Sequence, residues 1–157
     1  ISTDTVIDYL KYLQETCLIF SIENIQAKLA EKESNKKYYF IDNGILMLFL
    51  VDPLTSLLEN QVAVRLRQLY GEDVYFYSHK IEVDFYMPDK QVAVQVSYSI
   101  NDFETRWRET EALLAINKKL PVKRMLIITK DEEEKITDLL PGSVIEVIPV
   151  WKWLLES

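Results

Sequence analysis

Two short β-type runs, 81–86 and 91–97, put carboxylates and an amide at alternate positions. Side chains alternate between the faces of a strand. In the first run Ile81, Val83 and Phe85 share one face, and Glu82, Asp84 and Tyr86 share the other. In the second, Val92, Val94 and Val96 form the apolar face, opposite Ala93, Gln95 and Ser97. A turn at Met87-Pro88-Asp89-Lys90 that aligns the apolar sets brings Glu82, Asp84, Gln95 and Ser97 together. Glu59 is a further polar residue set between apolar positions of the preceding helix. Hard divalent cations take several oxygen ligands from rigid elements. Asp84, the Gln95 amide oxygen and Glu59 supply three. A lysine two residues beyond the second ligand would orient or deprotonate an attacking water and offset developing negative charge. Ser97, neutral and short, stands there instead. Alternation alone is equally satisfied by a solvated sheet face.

Other reactive residue types are sparse. His79 is the single histidine and reads as a loop residue, with no partners for a triad or a zinc site. Cys17, the single cysteine, excludes an internal disulfide and is expected to be buried, in a reducing cytoplasm. The three glycines, Gly44, Gly71 and Gly142, form no phosphate-binding glycine loop, so nucleotide hydrolysis is not expected of this chain. Tyr75 and Tyr77 are expected to pack against a helix or a partner, with base stacking as the alternative. Trp107, Trp151 and Trp153 are expected to be core or interface anchors.

The 157 residues suffice for one medium domain, or one with a small companion. At 48% hydrophobic and 27% charged the composition is that of a globular protein. A net charge of −7 opposes a surface that grips nucleic acid by charge alone. A basic strip from Lys118, Lys119, Lys123 and Arg124, with Arg65, Arg67, Arg106 and Arg108 elsewhere, is the local exception. No apolar run is long enough for a membrane span, and no secretory signal opens the chain. It starts on Ile1, just before a helix cap, which suggests a piece of a longer protein.

The elements that must position these residues follow from periodicity and punctuation. A helix is expected over 3–16, capped by Ser2 or Thr3, with Val6, Tyr9, Leu10 and Leu13 at helical spacing. Strands follow over 17–22 and 37–41, separated by a polar loop. A boundary is expected near 42–53. Pro53 opens a helix whose stripe of Leu54, Leu57, Leu58, Val62, Leu66 and Leu69 ends at Gly71. Strands over 74–78, 81–86 and 91–97 come next. A helix over 102–119 follows, with Asn101 and Glu104 as a capping box and Phe103, Trp107 and Leu114 on its core face. A buried strand is expected over 124–129, a helix over 131–140, a strand over 144–148 and a helix over 150–155. This order implies an α/β fold with a mixed sheet flanked by helices.

Lys37-Tyr-Tyr-Phe-Ile-Asp42-Asn-Gly44, Leu58-Glu59-Asn60, Glu82-Val-Asp84-Phe and Ile148-Pro-Val-Trp-Lys-Trp-Leu154, in that order, resemble the C-terminal region of a family of prokaryotic AAA+ ATPases. That region is a domain of unknown function similar to the PD-(D/E)-x-K restriction-endonuclease-like fold. The first helix and wing resemble the winged-helix unit that follows the ATPase module there. The resemblance implies a partial winged-helix unit over 1–44 and a nuclease-like α/β domain over 45–157. Glu59 then matches the helix acid and Asp84 the motif aspartate. Gln95 stands at the glutamate of E-x-K, and Ser97 at its lysine. Lys80 is a stand-in for that lysine, four residues from Asp84 and roughly 13 Å along the strand.

On this resemblance the expected role is a catalytically degenerate nuclease-like module that holds DNA or a protein partner beside the N-terminal ATPase module of the same protein. No cofactor is expected in that role. The alternatives are an active DNase, with Mg²⁺ on Glu59, Asp84 and Gln95, and a dimerisation module forming a homo-oligomer.

Overall fold

Ser2 starts the first helix, α1 (Thr3–Glu15), by accepting the Thr5 N–H on its hydroxyl at 3.2 Å. The helix ends in a left-handed residue, Cys17 (φ 57°), with Leu18 N–H donating to Leu13 C=O and Cys17 N–H to Gln14 C=O. That is a Schellman stop, at a position where glycine or asparagine is usual. The expectation of a buried cysteine is therefore corrected: Cys17 is exposed, on the turn.

The computed structural model describes residues 2–28, 35–50, 54–137 and 142–157. After α1 come β1 (Ile19–Asn24), β2 (Lys36–Phe40), a short α2 (Asn43–Met47) and α3 (Leu54–Tyr70). Then follow β3 (Tyr75–Ser78), β4 (Glu82–Met87), β5 (Val92–Val96), α4 (Phe103–Asn117) and β6 (Arg124–Thr129). The chain closes with β7 (Glu134–Ile136), β8 (Ile145–Pro149) and α5 (Val150–Glu156). The expected helix start at Pro53, much of the expected wing loop and residues 138–140 of an expected helix lie outside the described residues.

The strands form one eight-stranded mixed sheet in the order β2-β1-β3-β4-β5-β6-β8-β7. The β2/β1, β3/β4, β4/β5 and β8/β7 ladders are antiparallel. The β1/β3, β5/β6 and β6/β8 ladders are parallel. Strands β1 and β2, from the expected winged-helix unit, join the sheet of the remainder through Glu23↔Tyr75 and Asn24↔Phe76.

Helices cover both faces, so the central strands are largely apolar, with Glu82, Asp84 and Gln95 as the exceptions in β4 and β5. On one face Val62, Ala63 and Leu66 of α3 and Trp153 of α5 pack with Phe85, Val94, Val96 and Ile128. On the other, Ala112, Leu113 and Ile116 of α4 pack with Tyr77, Tyr86, Ala93 and Ile127. Gly71 ends α3 at φ 59°, with its N–H on Arg67 C=O.

Three local expectations are corrected. The helix over 131–140 is replaced across 134–136 by β7. Ile136 pairs with Ile145 along the outer side of β8, and this pairing overrides the helical bias of the acidic run. The cap of α4 is Asp102, not Asn101; its carboxylate accepts the Glu104 and Thr105 N–H groups at 3.2 and 2.8 Å. Phe103 and Trp107 are exposed, 76% and 54%. Their stripe sinks into the core only at Thr110 and Leu114, because the first half of α4 runs past the sheet where a cavity opens. Trp153 is buried and Trp151 exposed. Among the described residues no helix is long and apolar enough to cross a membrane.

Candidate functional site

The β4/β5 ladder runs from Met87↔Val92 to Phe85↔Val94 and stops. On its other side β4 meets β3 with a shift in register between Tyr75 and Tyr77. Such an irregularity re-aims side chains. Beyond Phe85, side chains take over the backbone donors. Asp84 N–H donates to Gln95 Oε1 at 2.7 Å, and Val96 N–H donates to Asp84 Oδ2 at 2.9 Å.

Gln95 is 4% exposed. Its Nε2 donates to the Glu82 carbonyl at 3.3 Å and to Glu109 Oε2 at 2.7 Å. Both ends of the amide are thus engaged, and the partners decide which end is oxygen. Glu109, from α4, is 5% exposed. Its Oε1 accepts from Arg108 Nε and Nη2 at 3.1 and 2.6 Å.

The opposite face contributes a lysine from β2. Lys37 and Tyr39 alternate onto the side facing α3. Lys37 Nζ lies 2.7 Å from Glu82 Oε1, 3.3 Å from Asp84 Oδ1 and 3.6 Å from Glu59 Oε1. The ammonium passes the Phe76 ring of β3, 5.5 Å from its centroid. Tyr39 O–H donates to Glu59 Oε1 at 2.8 Å.

These positions set the electrostatics. Burial, and then the Glu59 charge, push Asp84 up to about 7, against the lowering effects of Lys37 and the Val96 N–H. Burial lowers the Lys37 pKa, but Asp84, Glu59 and Glu82 together outweigh it, so the ammonium is held well above the lysine range. Burial and the adjacent Glu59 keep the Tyr39 phenol protonated.

The cavity at this centre measures about 660 Å³. It lies between α3 and α4, lined by Glu59 on one side, Trp107 and Arg108 on the other, and Glu82, Asp84 and Gln95 at its base.

The sequence-predicted residues distribute as follows. Asp84 and Gln95 touch. Glu59 and Glu82 join Asp84 through Lys37. Lys80 lines the cavity from the β3–β4 turn, whereas the lysine in contact with Asp84 is Lys37. Ser97 is 6% exposed and donates its hydroxyl to the Ser99 carbonyl at 2.9 Å. Lys37 and Tyr39, noted in sequence only within a resemblance motif, Arg108, noted only in the basic strip, and Glu109 were not expected at this site. Each lies outside the hairpin, and only the order of the strands and the packing of α4 bring them to it. The expected basic strip is largely neutralised among its arginines. Arg67, Arg106, Arg108 and Arg124 pair with Glu72, Glu134, Glu109 and Glu146, and Arg65 donates to Ser157.

A magnesium ion does not fit the donors as arranged. The Gln95 oxygen accepts a backbone N–H, and an ammonium lies among the carboxylates. Among the described residues no three His, Cys, Asp or Glu side chains are placed to hold a metal ion.

No family model matches the chain, and no solved structure matches it. It is similar to the uncharacterized protein MJ1544 of Methanocaldococcus jannaschii, 30% identical over 164 aligned residues. The match covers 99% of this chain and 37% of that protein. The chain therefore spans little more than a third of the length of this curated relative.

Proposed function

We propose that this chain is a restriction-endonuclease-like module that holds a DNA or protein partner without cutting it, as the C-terminal part of a prokaryotic AAA+ type ATPase. The observation that carries the reading is the state of Gln95. The residue at the position of a metal-binding glutamate is a buried amide tied by three hydrogen bonds to the chain itself. Ser97, at the position of the nuclease lysine, is turned to the backbone. The four motifs in order support the parent assignment. So does a relative long enough to carry a further module beside the matched part.

A second reading has one observation in its favour. Lys37 delivers an ammonium to within 3.3 Å of Asp84 from another strand, which makes good the absent lysine of a metal-dependent DNase. Incubation of plasmid with Mg²⁺ or Mn²⁺ separates the two. The holding reading expects no nicking by wild type. Divalent-dependent nicking that disappears in Asp84→Ala and Lys37→Ala overturns it.

A further inference from the structure

A second cavity, of about 540 Å³, opens between the β3–β4 turn and the C-terminal end of α4. Lys80 and Ile81 line both this cavity and the acidic one. The polar groups here are of the opposite kind. Gln26, Tyr77, His79, Lys80 and Lys119 line it, and no carboxylate among the described residues does, in a chain of net charge −7. Four other cavities each carry at least one glutamate. Among the described residues His79, Lys80 and Lys119 pair with no carboxylate. Lys119 follows the end of α4, where a cation offsets the terminal carbonyls. His79 and Lys80 sit on a turn between strands, which asks for no such charge.

Tyr77 adds an observation independent of charge. It is 6% exposed, yet its hydroxyl makes no hydrogen bond among the described residues. No buried side-chain polar atom there lacks a partner, so the hydroxyl opens on the cavity that Tyr77 lines. A phenol set so deep ordinarily bonds to the chain. Tyr39 and Tyr86 do so here, to Glu59 and to the Pro121 carbonyl. The rim is also held in place. Asn24, 3% exposed, accepts the Gln26 and Ser78 N–H groups at 3.0 and 3.2 Å and donates to the Ser78 carbonyl at 2.8 Å. His79 N–H closes the turn on the Ile81 carbonyl at 3.1 Å. Such fixed donors lower the cost of binding.

Two ammonium groups beside a phenol, an imidazole and an amide match an anion of high charge with several acceptor oxygens. A phosphate monoester brings roughly two negative charges and three such oxygens. A carboxylate brings one charge and leaves an ammonium unbalanced. Ile81, Ala115 and the Tyr77 ring offer apolar surface to the rest of the ligand. The volume falls in the range of small-molecule sites, about 300–1,000 Å³.

We propose that this cavity binds the phosphate monoester of an organic ligand, with Lys80 and Lys119 balancing its charge and the Tyr77 hydroxyl donating from the floor. The site works whether or not the acidic centre cuts DNA.

Calorimetry without divalent metal tests it, with inorganic phosphate, AMP and adenosine as probes. Wild type is expected to bind phosphate and AMP saturably, and AMP at least about tenfold more tightly than adenosine. The double variant Lys80→Gln/Lys119→Gln should lose at least about tenfold in AMP affinity, and Lys80→Arg/Lys119→Arg, which keeps both charges, should stay within about threefold of wild type. Tyr77→Phe, which keeps the ring, should lose about three- to tenfold. Both lysines are exposed, so the charge variants are expected to keep the Tm of wild type. Wild type that binds neither phosphate nor AMP overturns the proposal. So does AMP binding no tighter than adenosine, or unchanged in the Lys→Gln double variant or in Tyr77→Phe. A 5′-phosphorylated oligonucleotide and its 5′-hydroxyl counterpart identify the source of the phosphate. A phosphate-dependent gain over AMP supports a nucleic-acid end, and its absence beside AMP binding supports a small molecule.

Discussion

Asp84 and Gln95 face each other across two strands as hydrogen-bond partners, with the Asp84 N–H on the Gln95 amide oxygen at 2.7 Å. Gln95 in turn fixes Glu109 at 2.7 Å. The amide therefore bridges a backbone donor and a buried carboxylate, a role that requires one acceptor end and one donor end.

Gln95→Glu removes the donor end and sets a second carboxylate against Glu109. Buried like charges of this kind should destabilise the fold by about 3 kcal/mol. Glu109→Gln added to that variant supplies a donor again and should recover most of the loss, because Arg108, 70% exposed at its side chain, is solvated without its partner. Urea unfolding of the four proteins in the cycle measures the coupling. Additive losses would contradict the bridging role.

Asp84 gives the fold a pH dependence of defined sign. Its pKa is raised from 3.8 to about 7, by burial first and Glu59 second. An acid raised in the folded state binds its proton more tightly there than when unfolded. Its favourable contribution is full below about pH 4 and is lost as pH rises through 7. Wild type should therefore lose stability relative to Asp84→Asn between pH 4 and 8, by a few kcal/mol on the order-of-magnitude scale of such shifts. Parallel stability curves for the two proteins, followed by chemical denaturation, would show that Asp84 titrates normally.

The two strands of the hairpin were legible because alternation is a local property. The expected faces are corrected in β4: Val83 packs on the α4 side and Phe85 on the α3 side. The Asp84 carboxylate meets Lys37, while the Gln95 amide meets Glu109 of α4. The relation of Asp84 to Gln95 was not legible. On alternation an acid and an amide read as two metal ligands or as a solvated sheet face, and the bond from the Asp84 N–H to the Gln95 side chain depends on where the ladder breaks. Lys37 is 47 residues from Asp84 in sequence. Two strands, β1 and β3, lie between their strands in the sheet, so no spacing rule joins them. Glu109 read as one polar residue of a helix whose core face was assigned to Phe103 and Trp107. Only the turn of α4 past the cavity shows that this acid is inside. The acidic run before Ile136 resembled a helix start, and it is the free side of β8 that makes a strand of 134–136. The short helix at Asn43–Met47 was missed because Asp42-Asn43-Gly44 has the composition of a turn. Asp42 in fact caps the helix, accepting from Gly44 and Ile45 N–H.

Tyr39→Phe tests the anchoring of Glu59. The Tyr39 hydroxyl, on a residue 6% exposed, donates to Glu59 at 2.8 Å, and the ring packs against Phe20 and Phe85. The variant keeps the ring and loses a hydrogen bond to a charged acceptor, which costs about 1–2 kcal/mol. Glu59 retains Lys37, so the loss should stay within that range. Equilibrium denaturation gives the magnitude. An unchanged midpoint would show that the hydroxyl contributes nothing to holding Glu59.

Asn60 governs the outer side of β2. It is 2% exposed on α3. Its Oδ1 accepts the Phe40 N–H at 2.9 Å, and its Nδ2 donates to the Phe40 carbonyl at 2.9 Å and to Asn43 Oδ1 at 2.8 Å. One side chain thus does for Phe40 what a neighbouring strand would do. It satisfies both backbone groups on the side away from β1 and denies them to another chain. Asn60→Leu leaves that N–H and carbonyl buried without partners and should cost about 2–4 kcal/mol. It should also promote pairing of β2 with another copy, since the freed groups form a template for a strand. Sedimentation velocity across a concentration series should show self-association in Asn60→Leu beyond that of wild type, and urea unfolding the loss of stability. A variant that is destabilised yet associates no more than wild type would assign Asn60 to packing alone and leave the guarding of β2 to Ile41 and the adjacent α2.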